Sequence, residues 1–244
     1  MPNWCYNRMS VTGDRDSLVK LSEAITREHD PSLAETTMGM EQVDYDLTVL
    51  FPIPEPLAVR SVMFADDTDN PELIALRERY VENEKKYGHR DWYSWCLDNW
   101  GTKWSPRIDQ WDIRDYPNGM SEISAYYETA WSPADGLIRE VSKQFPTLLF
   151  IVTSDEEGRS FACCMAFRNG EIVAEVGCEL SPDKVPASFR EAYEKVDKQL
   201  AESEYSDYSV YDELSDLDSE VIGFLETEVN NQLRGLGLLS KESV

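Results

Sequence analysis

Histidine, cysteine and carboxylate are the side chains that do most nucleophilic, acid–base and metal chemistry, and here they are very unevenly supplied. There are only two histidines, His29 and His89, against five cysteines, Cys5, Cys96, Cys163, Cys164 and Cys178. No Cys-x-x-Cys pair occurs, and neither histidine stands at a zinc-ligand spacing from a cysteine. Cys163 and Cys164 are adjacent in a strand-like run, so their side chains should point to opposite faces as small hydrophobes. A Cys/His nucleophilic pair could meet only through the fold, since nothing local supports one. Carboxylates are so numerous, 47 in all, that no pair stands out as a general acid and base. Glycine-rich phosphate loops and Gly-x-Gly-x-x-Gly are absent. The sequence therefore calls for no cofactor, no metal and no catalytic residue.

Two other clusters could act by binding. Trp92, Trp95, Trp100, Trp104 and Trp111 lie within 20 residues and are five of the seven tryptophans. One reading is a ligand pocket with indole walls, in which Asn99, Thr102 and Lys103 supply the polar contacts. Lys103 could bind an anion or lie over an indole face. The plainer reading is a tryptophan-rich mini-core that docks this segment onto a sheet. The second cluster is acidic. The last 64 residues hold 15 acids and 6 bases. The candidate partner-binding acids are Glu202, Glu204, Asp207, Asp212, Glu213, Asp216, Asp218 and Glu220. As one continuous helix, Asp197 to Glu220 would span about 36 Å. Its net charge would fall once per roughly 4.5 Å, against a phosphate per roughly 3.4 Å on one DNA strand. Local mimicry of nucleic-acid charge is one reading; a solvated acidic helix face is the plainer one.

The elements that position these groups are legible from local signals. A strand over 4–12 leads to a helix capped by Asp14 or Asp16, with Leu18, Leu21 and Ile25 on one stripe. Residues 46–51 read as a second strand, stopped by Pro52, Pro54 and Pro56. Asn70-Pro71-Glu72 starts a helix that Gly88 ends, and a second follows from Asp91 with Gly101 after it. Residues 107–115 alternate as a strand, Tyr116-Pro117-Asn118-Gly119 is a turn, and 120–130 is a strand. A helix from Ser132-Pro133 carries Leu137, Ile138, Val141 and Phe145 inward. Strands over 148–154, 161–167 and 172–178 follow, the last two joined by Asn169-Gly170, a type I′ hairpin signal. Pro182 and Pro186 mark a boundary before helices over about 187–203 and 210–234.

This order predicts an α+β fold. It is a ferredoxin-like antiparallel sheet with helices on one face, a tryptophan-rich helical insertion, an added hairpin and an acidic helical tail. Residues 1–180 form the expected domain, with the insertion at about 57–105; 181–244 form a C-terminal extension without which the rest should fold. Val210, Leu214, Leu217, Val221, Leu225, Val229 and Leu233 give the extension an apolar stripe. It could pack on the open side of the sheet, dock a partner or pair with a second copy. Asp212, Glu213, Asp216 and Asp218 are expected on the exposed face.

Two segments resemble a known family. They are Met1-Pro2-Asn3-Trp4-Cys5-Tyr6-Asn7 with Val11-Thr12-Gly13, and Tyr87 to Trp104, together with Thr129-Ala130-Trp131-Ser132-Pro133. They look like the YubB ferredoxin-like domain family of phages and conjugative plasmids, over about residues 1–178. The resemblance implies a ferredoxin-like fold and a mobile-element origin, and supplies no catalytic residues.

Composition bounds the rest. The net charge of −24 opposes direct nucleic-acid binding, which needs a basic surface. Tyr126, Tyr127 and Phe167 are strand aromatics without a basic rim. No apolar run is long enough to span a membrane, no signal peptide is visible, and the odd cysteine count fits a reducing cytosol. The expectation is a cytoplasmic, non-enzymatic protein. It would bind a host protein, a nucleic-acid-binding one being one option, with self-association through the C-terminal helix as a further option. A small-ligand or enzymatic domain centred on the tryptophans is the alternative.

Overall fold

The structure, a computed structural model, describes residues 3–27, 44–62, 69–117, 119–202 and 208–239. His29, Asp66, Asp67, Asn118, Glu204, Tyr205 and Asp207 lie outside the described residues.

β1 (Trp4–Gly13) runs into α1 (Arg15–Ile25), where the Asp14 carboxylate accepts the Ser17 amide at 2.9 Å and satisfies an otherwise orphan donor. Leu18, Leu21 and Ile25 then fall on one buried face. A two-residue ladder joins β2 (Thr26–Arg27) to β3 (Asp44–Tyr45). The expected strand over 46–51 does not form. Leu47–Leu50 is a 3-10 helix, capped by the Asp46 carboxylate accepting from Thr48 N at 2.8 Å. A local side-chain bond here competes with a ladder, and the three prolines that follow cannot donate to one. A second 3-10 turn, Glu55–Leu57, follows.

α2 (Pro71–Tyr87) starts on the Asn70 cap and ends at Gly88, whose φ of +75° is left-handed. α3 (Trp92–Asn99) is capped by Asp91. The strand that takes the place expected of 46–51 is β4 (Arg107–Asp115). It pairs with β5 (Ser121–Ala130), with a register shift between Ile108 and Gln110. α4 (Asp135–Gln144) and β6 (Leu149–Glu156) complete the double β-α-β plan. β7 (Ala162–Arg168) and β8 (Glu171–Cys178) form the hairpin, with Asn169 and Gly170 at φ of 51° and 80°, as a type I′ turn demands. α5 (Arg190–Glu202) and α6 (Tyr208–Gly235) end the described chain.

The six long strands form one antiparallel sheet in the order β4-β5-β1-β6-β7-β8. Its first four are the ferredoxin-like set. Side chains alternate across each strand, so the sheet builds two cores. Met9, Val11, Ile123, Tyr127, Phe150 and Val152 face α1, α4 and the insertion, with Trp95, Trp100 and Trp111 in the same cluster. Leu149, Ala162, Cys164, Ala166 and Ala174 face the other way, against Val221, Leu225, Val229 and Leu233 of α6. Of the readings open to the C-terminal stripe, packing on the far side of the sheet is the one observed. The cover is partial: α6 lies against β6, β7 and β8. Among the described residues no helix is long and apolar enough to cross a membrane.

Candidate functional site

The tryptophan-rich segment folds inward. Trp95 and Trp100 are buried edge-to-face at 5.7 Å, and Phe51 packs on Trp95 at 5.1 Å. The Trp100 indole N–H donates to the Phe51 carbonyl at 2.9 Å. Thr102 is fully buried; its hydroxyl donates to Ala130 O at 3.1 Å and lies 3.2 Å from Ala130 N, closing the end of β5. Asn99 donates to Trp95 O at 2.9 Å within its own helix. These contacts tie the insertion to Phe51 and to the end of β5. Trp111 does the same from β4, donating to Ser22 Oγ on α1 at 2.9 Å. Trp92 is half-buried against the edge of Tyr93. Of the predicted set only Trp104 is exposed, and half-buried Lys103 lies over its ring. The Lys103 ammonium sits 4.3 Å from the Trp104 ring centre, and Trp104 lies 6.1 Å from Trp4. Near them Trp131, at φ +73°, is half exposed. A left-handed bulky residue is strained by about 1–2 kcal/mol, and its amide is held by Asn3 O at 3.0 Å.

Burial raises all five cysteine thiols above their ordinary value. Burial pushes the thiols of Cys5, Cys96 and Cys163 up to about 12 and that of Cys164 to about 11. Thiolate, the reactive form, is then scarce near neutrality. Cys164 faces the α6 core and Cys163 packs against the opposite one, as their adjacency predicts. Among the described residues no group of three or more His, Cys, Asp and Glu is placed to hold a metal ion.

The acidic tail divides into parts with different roles. Its described residues include α5, up to Glu202, and α6, from Tyr208. Asp212, Asp216 and Glu220 recur every fourth residue on the exposed face of α6, and Glu202 is exposed at the end of α5. Steps of four residues put an acid every ~6 Å along α6, sparser than the phosphates of a DNA strand. Glu213 is paired with Lys195 at 2.8 Å. Asp218 does not belong to the exposed face. It accepts both Arg159 Nε at 2.8 Å and Arg159 Nη2 at 3.0 Å, and the Tyr193 hydroxyl at 2.5 Å. Arg159 is the turn between β6 and β7, held at φ +64°. This carboxylate therefore locks α5 and α6 to the sheet.

Two features escape a sequence reading. Asn7, buried on the core face, donates to Cys5 O, Tyr127 O and Thr129 Oγ1 and accepts from Ser154 Oγ at 2.7 Å, tying β1, β5 and β6 together. The asparagine in an alternating strand was the available signal. The other is the half of the outer sheet face that α6 leaves bare. It holds an open cleft of about 340 Å³ whose lining includes Tyr6, Arg8, Asp109, Tyr126, Glu128 and Asp155.

Topology and cores thus define a ferredoxin-like α+β sandwich carrying an acidic helical layer on its second face. Residues 110–201 match the family described as the ferredoxin-like domain in Api92-like protein. The matched stretch runs from β4 through nearly all of α5. Among solved structures, the protein api92 from Yersinia pseudotuberculosis is similar over 72% of this chain and 98% of that one, at 10% identity and a TM-score of 0.39. No curated protein matches the chain.

Proposed function

We propose that this is a non-enzymatic binding protein that engages a positively charged host protein through its acidic surface. The observation that carries the reading is the outer side of α5 and α6, where Glu194, Asp197, Glu202, Asp212, Asp216 and Glu220 are all exposed. Against them stand two α5 lysines, of which Lys195 is already paired with Glu213. Such a surface attracts basic partners and repels nucleic acid. A partner that itself binds nucleic acid has the matching charge, and any mimicry of phosphates is local to this layer. The sequence resemblance to the YubB ferredoxin-like domain family suggests a phage or plasmid origin, and an anti-defence or host-takeover role is part of the proposal; the family match found is to the ferredoxin-like domain in Api92-like protein. Five free cysteines suit a reducing cytosol.

The test is co-purification with host proteins at low and at high salt, using the full chain and a variant carrying Asp212→Lys, Asp216→Lys and Glu220→Lys. The variant moves the net charge from −24 to −18 and leaves Asp218 in place. The expected result is capture of a basic protein that is lost in the variant and weakens with salt. Equal capture by both proteins removes the acidic layer from the function.

A further inference from the structure

The half of the outer sheet face that α6 does not cover has an unusual composition for a surface exposed to water. β1 and β5 place Tyr6 and Tyr126 there, and both rings are largely exposed, at 42% and 46%. The register sets what surrounds them. Tyr6 stands opposite Glu128 on β5 and opposite Asp155 on β6, so one ring is flanked on both sides by a carboxylate. Arg8 stands opposite Tyr126. Directly opposed side chains have Cβ atoms about 4.5–5.5 Å apart, and diagonal neighbours such as Tyr6 and Tyr126 are about 7–8 Å apart, within reach of aromatic side chains. Arg8, the one cation among the six named cleft residues, is drawn to Glu226 on α6 at 3.2 Å. Asp109, on the bulged edge strand, adds a third carboxylate to the lining.

We propose that this cleft is the seat of a cationic side chain, arginine or lysine, presented by an extended segment of a basic partner protein. The inference rests on the function proposed above and deepens it by giving that partner a specific foothold. Aromatic faces attract a guanidinium or ammonium through the ring quadrupole, and Glu128 and Asp155 are placed to neutralise it from either side. Burial already raises the Asp155 carboxyl above its usual range, with only Arg8 opposing the shift among nearby charges and Asp218 adding to it. A cation arriving there relieves an existing electrostatic cost. The same carboxylates disfavour a nucleic-acid strand, although open sheet faces with aromatics serve that purpose elsewhere.

The experiment is a titration of the full chain, followed by backbone amide NMR at physiological salt. The probes are a short peptide alternating Gly and Arg, one alternating Gly and Gln, and a single-stranded thymidine oligonucleotide. Shifts on binding the arginine peptide should centre on residues 6, 126, 128 and 155. Tyr6→Ala and Tyr126→Ala should each weaken it by between about twofold and thirtyfold, with the rest of the spectrum unchanged. Tyr126→Leu and Glu128→Gln keep the test open if an alanine variant misfolds. A control carrying Asp212→Asn, Asp216→Asn and Glu220→Gln should keep the cleft shifts. If the control alone loses binding and the cleft variants bind normally, the basic-partner function stands and this cleft is refuted. If the arginine peptide binds nowhere, or no more tightly than the glutamine peptide, both ideas fall. If the oligonucleotide binds the cleft, the choice of a protein cation is wrong.

Discussion

Replacing Asp218 by alanine removes one carboxylate that accepts three hydrogen bonds, two from Arg159 and one from Tyr193. The side chains of Arg159 and Asp218 are only 30% and 16% exposed. Breaking a buried pair by deleting one partner costs about 3–5 kcal/mol, because the other charge is left uncompensated. Arg159 keeps some contact with water and lies over the Tyr193 ring at 5.7 Å, so the expected loss is smaller, about 2–3 kcal/mol. Tyr193→Phe removes one bond to a charged acceptor and should cost about 1–2 kcal/mol. Arg159→Met with Asp218→Ala should lose less than the sum of the single changes, with a coupling of at least about 1 kcal/mol. Urea unfolding followed by helical circular dichroism reads these differences through the transition midpoint. Tryptophan fluorescence tests whether sheet and tail unfold together, since every tryptophan lies before residue 132. A loss below about 0.5 kcal/mol for Asp218→Ala, as for an ordinary surface site, would refute the lock and return Asp218 to the solvated acids.

A chain ending at residue 180 should aggregate, read by light scattering, because Leu149, Ala162, Cys164, Ala166 and Ala174 lose their cover; a soluble monomer that unfolds cooperatively would uphold the sequence boundary instead. Cys5, Cys96 and Cys164, buried and with raised thiols, should resist a disulfide reagent at neutral pH in native protein and react at once in urea. Glu156 is depressed below its ordinary value of 4.5: burial opposes its charge, but bonds from the Ser160 hydroxyl and amide and from Asn3 outweigh it. Its contribution to stability is therefore present above about pH 4.5 and is lost as pH falls through the lower folded value, so Glu156→Gln should flatten the acid limb of stability against pH. Trp131→Gly should stay within about 1 kcal/mol of the parent, far below the 3–5 of a core tryptophan, because relief of the left-handed strain offsets the lost contacts.

Local chemistry alone determined much of this protein. The Asp14 cap, the Asn70-Pro71 start, the Asn169-Gly170 turn and the alternation of β1, β5 and β6 each act within a few residues, so a one-dimensional reading recovers them and the ferredoxin-like plan they compose. The apolar stripe of α6 was equally plain. Tertiary structure decided what those signals leave open. Residues 46–51 have strand-like composition, yet an aspartate cap and a run of prolines turn them into a 3-10 helix, and β4 enters the sheet from beyond the insertion. Phe51, arriving from 49 residues before Trp100, packs on Trp95 and accepts the Trp100 indole proton, a contact no local signal announces. Asp218 reads like its neighbours Asp216 and Glu220, and only the approach of Arg159, 59 residues away, takes it out of solvent. The bare half-face that frames Tyr6 and Tyr126 exists because α6 covers three of the six strands. Burial and pairing are properties of residues distant in sequence, and they separate side chains that composition makes look alike.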